Sequence, residues 1–522
     1  MPVEKIEFQT KISDKKHFDT IIIGSGMGAL TSACLLAKDG FSVLVLEQNY
    51  LPGGCTSSYW RKGYVFETGA TTLVGLDENM PLWYLLEKTG VSIEVKTLDL
   101  PMQVYLKSGK ILHKYKNLDA WITEAESVFG KKNQRKFWEF CYKISNFVWE
   151  TSLKQTAFPP TRFSDLITSA TRANIAQFRY AGYSLLSTEW LLKKFDLLDN
   201  QEFVAYVNEQ LLITAQNHME EVNVLFGATA LCYTNFGNYY VPGGLLNLVS
   251  PLIDFLEKKG SELHLKEEVK EITSLKPELD EKNPVMHRYQ SLYQVKTNKD
   301  TYTSDFVISG IPINNTLQIY DNGFQEKYKS KILKSEQVNS AFQMGIVFRR
   351  TKAFECLHHQ IHLPEPLPNT GSASIFVSLS HPEDTLRCDA NEVIASVSTH
   401  VKNPEKNMVF DKKVTEDFIL EQLEKLDFFL KEDVLYYHAS HPQAWEKWTK
   451  RAWGFVGGYP QYMHTKPWQM LDARLDGKKA YICGDTVYPG QGIPGTVLSG
   501  IIAYEKLISD WHPKKMLIPK AP

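Results

Sequence analysis

The chain has 522 residues, 43% of them hydrophobic and 23% charged, which suits two or three ordinary domains with an ample core. Its 58 Lys and Arg nearly balance 60 Asp and Glu, so the net charge of -2 supplies no global pull toward nucleic acid. An aromatic share of 12% suits a large core or a large apolar pocket. The seven cysteines (Cys34, Cys55, Cys141, Cys232, Cys356, Cys388, Cys483) are scattered, odd in number and without a Cys-x-x-Cys pair. That pattern argues against a disulfide framework and against a zinc site, so no metal is expected, and it favours a reducing, cytoplasmic compartment.

Residues 1–18 are polar and charged, without the apolar centre of a signal peptide. Residues 20–37 are apolar enough to imitate a membrane span, but Gly24, Gly26 and Gly28 interrupt them. A better reading is a strand at 20–23, a glycine turn at 24–28 and a helix at 29–38, with Ala29, Ala33 and Ala37 on one face. Gly40 stands where a helix C-terminal glycine belongs, and 43–46 reads as a second buried strand ending at Glu47. This is a Rossmann-type unit. In its turn, Gly24 permits the tight bend, Gly26 lets backbone approach a pyrophosphate, Gly28 adds a further glycine, and Ala29 allows close helix–strand packing. The helix N-terminus offers free N–H groups and a positive dipole end to phosphates. The Glu47 carboxylate is placed to accept ribose hydroxyls. Gly53 and Gly54 follow directly and bring a second segment toward the pyrophosphate, with Thr56 in the small polar stretch 55–58 and a tight element at 66–69. A plain NAD domain needs none of these, so FAD is favoured.

From 106 to 235 the pattern is mainly helical and rich in aromatics. A second unit opens at Val241-Pro242-Gly243-Gly244, followed by a helix at 245–259, a strand-like stretch at 263–272, a polar insertion at 276–288, and alternating segments near 293–295 and 306–309 that resemble a small meander. Strands at 372–379 and 392–399 and a helix at 413–425 are expected next. At the end, Tyr481-Ile482-Cys483-Gly484-Asp485 is a strand closing in Gly-Asp, before a glycine-rich turn and a helix at 496–509. Asp485 is placed to accept bonds from ribityl hydroxyls. A helix starting near Pro494 aims its positive end where negative charge builds on a reduced flavin.

Together these residues resemble the FAD-dependent phytoene desaturase, carotenoid isomerase and retinol saturase group of flavoproteins. The matching elements are 19–28, Glu47, 52–57, 66–72, 241–244 with the helix after it, 269–272, 305–312 and 483–500. Residues 484–492 look most like the carotenoid isomerase branch. The resemblance implies that backbone at Val269 meets the adenine and that Gly53, Gly54 and Thr56 line the pyrophosphate and flavin. It implies that Gly484 and Asp485 hold the ribityl chain, and that Gly492, Ile493 and Pro494 lie along the ring system.

The implied fold is α/β, with a Rossmann-type FAD-binding domain assembled from 15–105, 238–315 and 472–512. An α+β substrate and membrane-facing domain, 106–237 and 316–471, is inserted into it. The implied activity is desaturation, saturation or cis–trans isomerisation of an apolar, carotenoid- or retinoid-like polyene. An amine-oxidase-type flavoenzyme is the alternative within the fold. A non-catalytic lipid-binding or escort protein is the alternative outside enzymes.

FAD is expected to be non-covalent, although Cys55 beside Gly54 invites the question of a covalent link. Only one dinucleotide motif is visible, so no dedicated NAD(P)H domain is expected. Glu67 is the candidate acid or base, a structural hydrogen bond being its other reading. His218 with Asn217 and Tyr239 with Tyr240 are weaker candidates, and Trp445, Trp448 and Trp453 line a cavity or fill core. Between 154 and 194, six cations are interleaved with Phe158, Phe163, Phe178, Tyr180, Tyr183, Leu185, Leu186 and Trp190. A region of this kind can lie on an anionic bilayer, so peripheral attachment to the inner face of a membrane is expected.

Overall fold

The computed structural model describes residues 6, 8, 13–69, 71–173, 179–275, 293–320 and 325–511. The expected insertion at 276–288 and Phe178 lie outside them. The chain is α/β and builds two seven-stranded sheets among the described residues.

The first sheet is organised by His17–Ile23, whose Ile21, Ile22 and Ile23 are buried on both sides, as a central parallel strand requires. It lies between Val43–Leu46 and Thr301–Ser309, parallel to both. Glu262–His264 adds to the outside of Val43–Leu46, and Ala480–Ile482 pairs with the far end of Thr301–Ser309. Strands from both chain ends and from the centre therefore share one layer. The expected single strand at 263–272 is in fact two. Lys266 takes a φ of +54° between them, and Val269–Ser274 starts an antiparallel meander with Tyr293–Thr297 and Thr301–Ser309. The meander folds back over this corner, where Tyr302 Oη reaches His264 Nδ1 at 3.3 Å and donates to Glu267 at 2.9 Å.

The apolar run at 20–37 is explained by packing. The helix Met27–Lys38 is buried from Met27 to Ala37, because the C-terminal helix Ile493–Trp511 lies across it. Ser32 Oγ donates to the Gly500 carbonyl at 2.9 Å where they cross. No helix among the described residues is long and apolar enough to cross a membrane.

The second sheet runs Val434–Ser440, Asn339–Arg349, Glu392–Lys402, Ser374–Leu379, His358–His362, Met102–Tyr105, Ile111–Lys114. The hairpin Met102–Lys114 belongs wholly to it, so the chain enters this layer before Met102 rather than at 106. One face is apolar: Phe342, Met344, Ile346, Val377 and Val397 pack on Ile419 and Leu423 of the helix Lys412–Lys425. The other face looks toward a helical layer, Leu118–Phe129, Gln134–Ser152, Gln201–Ala215 and Val224–Cys232, cored by Trp121, Trp138, Phe203 and Tyr206.

The stretch 154–194 is not one amphipathic surface. Tyr180 is buried, and Tyr183, Leu186 and Trp190 pack on the helical core, while Phe158 stacks edge-on against Tyr488. Arg162 pairs with Asp510 at 2.7 Å. What faces outward is the helix Phe163–Arg172, where Phe163 is 76%, Leu166 52% and Ile167 50% exposed and only Asp165 is buried. Asp165 anchors it. Arg474 grips Asp165 with Nη1 and Nη2 (2.7 and 3.0 Å) and Asp510 with Nε and Nη2 (2.7 and 2.8 Å).

Removing one partner of such a buried, doubly forked pair strands two carboxylates in the interior, which costs about 3–5 kcal/mol. Arg474→Leu is therefore expected to lower the urea unfolding midpoint sharply. Lys132→Ala, which breaks an exposed pair with Asp196, should leave it where it is. Equal midpoints for both variants would contradict this role for Arg474.

Candidate flavin-binding site

The strand His17–Ile23 delivers Gly24 at a φ of +84° into the turn that starts the helix. Gly26 is the N-cap; it has no side-chain cap bond, and no acidic residue stands in the first turn. Four N–H groups and the positive end of this helix thus lack an intrahelical or side-chain partner. A methyl group on Gly26 would meet nothing within 4 Å, so open space lies directly in front of the turn. Gly53 bridges to Gly26, with its N–H donating to the Ser25 carbonyl at 3.1 Å, and Gly54 stands against Gly26. The two glycine segments expected to share the pyrophosphate are side by side. Thr56 turns back onto Gly53, its N–H donating to the Gly53 carbonyl at 3.0 Å.

Glu47 is buried at the end of its strand. Its Oε2 accepts from Ser25 N and Oγ (3.0 and 2.6 Å), and its Oε1 accepts from Asn49 N (2.9 Å). Burial pushes its carboxyl above the usual carboxylate range. Val269 is buried two residues beyond Glu267, whose N–H donates to the Glu47 carbonyl at 2.8 Å. The structure thus brings Glu47 and Val269 to one corner of the first sheet.

The bare face of Gly28 turns elsewhere. A methyl there would lie 2.9 Å from the Thr496 carbonyl oxygen and 3.1 Å from the Gly484 nitrogen. Gly28 admits the C-terminal segment to the turn. Ala29 packs tightly as expected, but its counterpart is Gly310, where any side chain would strike the Ala29 methyl.

At the other end, Gly484 donates its N–H to Ser499 Oγ at 2.8 Å. Asp485 is held by Arg451, Nη1 to Oδ2 at 2.7 Å, and its carbonyl accepts from Tyr459 N at 3.0 Å. Arg451 was not marked in the sequence, where it is one of three cations, with Lys447 and Lys450, in the tryptophan-rich stretch 445–453. Gly492 precedes the helix that Ile493 and Pro494 open, and Pro494 rests on Gly75. Gln491 Oε1 and Trp445 Nε1 are buried without a hydrogen-bond partner, and Trp445 lies against Gly69 beside Cys55. An uncapped helix end, open space before Gly26 and orphaned polar atoms beside the second glycine loop fit a flavin dinucleotide.

Glu67 is buried and fully engaged. It accepts from Ser58 Oγ at 2.8 Å and from the Leu245 N–H at 3.2 and 3.3 Å, and it faces Arg387 at 3.5 Å. Tyr239 donates to Asp77 at 2.7 Å, and Tyr240 donates to Asp384 at 2.6 Å. His218 sits on Asn217, with burial pulling its pKa down. Trp448 braces Asn49 through its carbonyl, and Trp453 joins a separate cluster with Phe455. Of the three tryptophans, Trp445 is the one placed beside Gly69.

Among curated proteins, prolycopene isomerase 2 from an Oncidium hybrid cultivar is 23% identical over 518 residues, covering 96% of this chain and 85% of the relative. All-trans-retinol 13,14-reductase from Danio rerio is 22% identical over 278 residues, covering 50% of this chain and 45% of that one. The structure of wild-type putrescine oxidase bound to putrescine superposes with a TM-score of 0.61 at 15% identity, over 94% of this chain and 99% of that one. The family described as flavin containing amine oxidoreductase matches residues 30–508. The match runs from the helix behind the glycine turn to the C-terminal helix, and the chain belongs to the flavin-containing amine oxidoreductase family.

Proposed function

We propose that this flavoenzyme binds FAD non-covalently and acts on an apolar polyene, with cis–trans isomerisation as its reaction. One observation carries the substrate reading. The likeness to prolycopene isomerases runs through 96% of the chain and so includes the second sheet and its helical layer. The retinol reductase likeness covers half of the chain, which places reduction second.

The residues that would hold the cofactor are Gly24, Gly26, Gly28 and Ala29 at the first turn, Glu47 and Val269 at the adenosine end, Gly53, Gly54 and Thr56 along the middle, and Gly484, Asp485, Gly492, Ile493 and Pro494 at the ring end. When bound, FAD supplies reversible electron transfer to a conjugated chain. The protein's own part is positional. The uncapped end at Gly26 receives phosphate charge. Arg451 holds Asp485 through Oδ2, and Oδ1 would accept from a ribityl hydroxyl. The helix opened by Ile493 would offer its positive end to the ring. Burial raises the Cys55 thiol more than Arg451 lowers it, which keeps it protonated and supports non-covalent binding. Glu67 serves as an anchor that ties the hairpin Ser58–Glu67 to the helix Leu246–Lys258.

Delivery of a polyene from a bilayer fits the helix Phe163–Arg172. Its exposed Phe163, Leu166 and Ile167 are flanked by the exposed cations Lys154 and Arg172, a pattern suited to an anionic lipid surface.

Three outcomes follow. With a poly-cis polyene and reduced flavin, the product should keep its mass while its absorbance moves. Gain or loss of a hydrogen pair would replace isomerisation by redox, and hydrogen peroxide from amines with no response to polyenes would overturn the polyene reading. Arg451→Leu leaves the half-buried Asp485 without its partner and should weaken FAD retention by about tenfold or more; Gly28→Val should release the flavin altogether. Unchanged flavin content in both variants would dismiss this site. Phe163→Ser with Ile167→Ser should abolish flotation with anionic liposomes at low salt, and equal flotation of wild type and variant would remove the bilayer contact.

A further inference from the structure

The strand His358–His362 is buried along its whole length. Strand alternation puts His358, Gln360 and His362 on one face. The register places Ser374, Phe376 and Ser378 beside them, then Ser396, Ser398 and His400 on the next strand. This is the face toward the helical layer, since Val104, in register with Gln360, packs in that core. The molecule thus encloses a polar sheet face where an apolar one would be easier to bury, and each polar atom there needs a partner.

Most have one. His358 Nδ1 meets Ser378 Oγ at 2.8 Å, Gln216 Nε2 meets His400 at 3.0 Å, and Ser374 Oγ donates to Glu209 at 2.5 Å. Three atoms on the strand His358–His362 are left over: His358 Nε2, Gln360 Nε2 and His362 Nε2 have no partner, although His358 is 1% and Gln360 0% exposed.

Bond directions define the two inner atoms. Ser378 Oγ donates to Thr71 Oγ1 at 2.8 Å, so it accepts from His358 Nδ1–H. Burial pulls His358 down to about 4. The imidazole is therefore neutral and Nε2 carries a lone pair. On the other side, Lys114 Nζ donates to Gln210 Oε1 at 3.1 Å, and Gln210 Nε2 donates to Gln360 Oε1. Lys114 is buried among Trp121, Tyr206 and Tyr233, its Nζ 5.2, 5.7 and 5.6 Å from their ring centres. The chain of donors runs from a buried amine to Gln360 and ends on an unused N–H, each bond polarising the next.

We propose that His358 and Gln360 form a subsite, between the second sheet and its helical layer, that binds a hydroxyl group of the substrate. The hydroxyl donates to His358 Nε2 and accepts from Gln360 Nε2. A carboxylate would face the imidazole lone pair, and a hydrocarbon would leave both atoms unpaired. The subsite reaches the cofactor side through Glu67 and Thr71. The Glu67 carbonyl accepts from Gln343 Nε2 on this same sheet face at 3.0 Å, and Thr71 closes the His358–Ser378 chain. The inference rests on the polyene reading and adds that the polyene is an alcohol.

The test uses FAD-loaded, full-length protein and matched pairs at two lengths: zeaxanthin against β-carotene, and retinol against its deoxy hydrocarbon. Binding is followed by quenching of flavin fluorescence. In the pair whose length fits, the alcohol should bind about tenfold or more tightly than the hydrocarbon, and its methyl ether should lose most of that gain. Gln360→Met and His358→Leu should each reduce the preference while leaving flavin absorbance unchanged. Hydrocarbon binding as tight as alcohol in wild-type protein overturns the subsite and leaves the polyene reading standing. No binding of any polyene, with flavin in place, overturns both.

Discussion

The hydrogen atom that stands for a side chain at Gly28 is the constraint on which the cofactor cradle depends. Through it the glycine turn near the start of the chain meets Gly484 and Thr496 near its end. The helices behind these two turns then cross with backbone against backbone, Gly500 facing the Gly28 carbonyl. No side-chain pair could bring the two turns this close. The two turns proposed to share a dinucleotide meet because two glycines let two helices touch.

Everything between the chain ends is then fastened to this crossing by buried charge. Arg474, just ahead of the last strand, forks to Asp165 in the helical region and to Asp510 in the C-terminal helix. Arg451 reaches from the second layer to Asp485 with Nη1. Glu67 ties the hairpin after the second glycine segment to Arg387 and to the start of the central helix. Buried pairs of this kind add little net stability over apolar contacts, but they tolerate only one arrangement of their partners. They explain how a chain that passes repeatedly between layers can hold one cradle. Glu67, the candidate acid or base, is held by contacts of this kind to Ser58, Leu245 and Arg387.

The second sheet divides the labour of its two faces. The apolar face builds the core with the helix Lys412–Lys425. The opposite face carries Ser, Gln and His where Val and Ile would be cheaper to bury, and it faces inward. Its hydrogen bonds are directed, from Lys114 through two amides on one side and from His358 through two hydroxyls on the other. Order of this kind costs desolvation, and the unused atoms at its centre are where that cost has chemical meaning.

The glycine turn, Glu47, Pro52-Gly53-Gly54, Val269 and the Gly484–Pro494 loop were legible in the linear chain. The Rossmann unit and the discontinuous flavin domain were legible with them. Each is a local requirement, a turn or a helix end that only certain residues satisfy, and local requirements leave local marks. What the linear chain could not show was partnership. Arg451 has no motif, because a cation that serves a carboxylate thirty-four residues away is bound by space and not by spacing. The strand at 263–272 split because Val269–Ser274 found its partner in Tyr293–Thr297, beyond the insertion. The aromatic stretch at 154–194 looked like one surface and became mostly core, because the helical layer had room for Tyr180 and Trp190 but left Phe163 outside. His358 and Gln360 lay in an unremarked run, His-His-Gln-Ile-His, whose alternation acquires meaning only once one face is seen to look inward. Residue type decided where a flavin could sit, and the packing of distant strands decided what lies across from it.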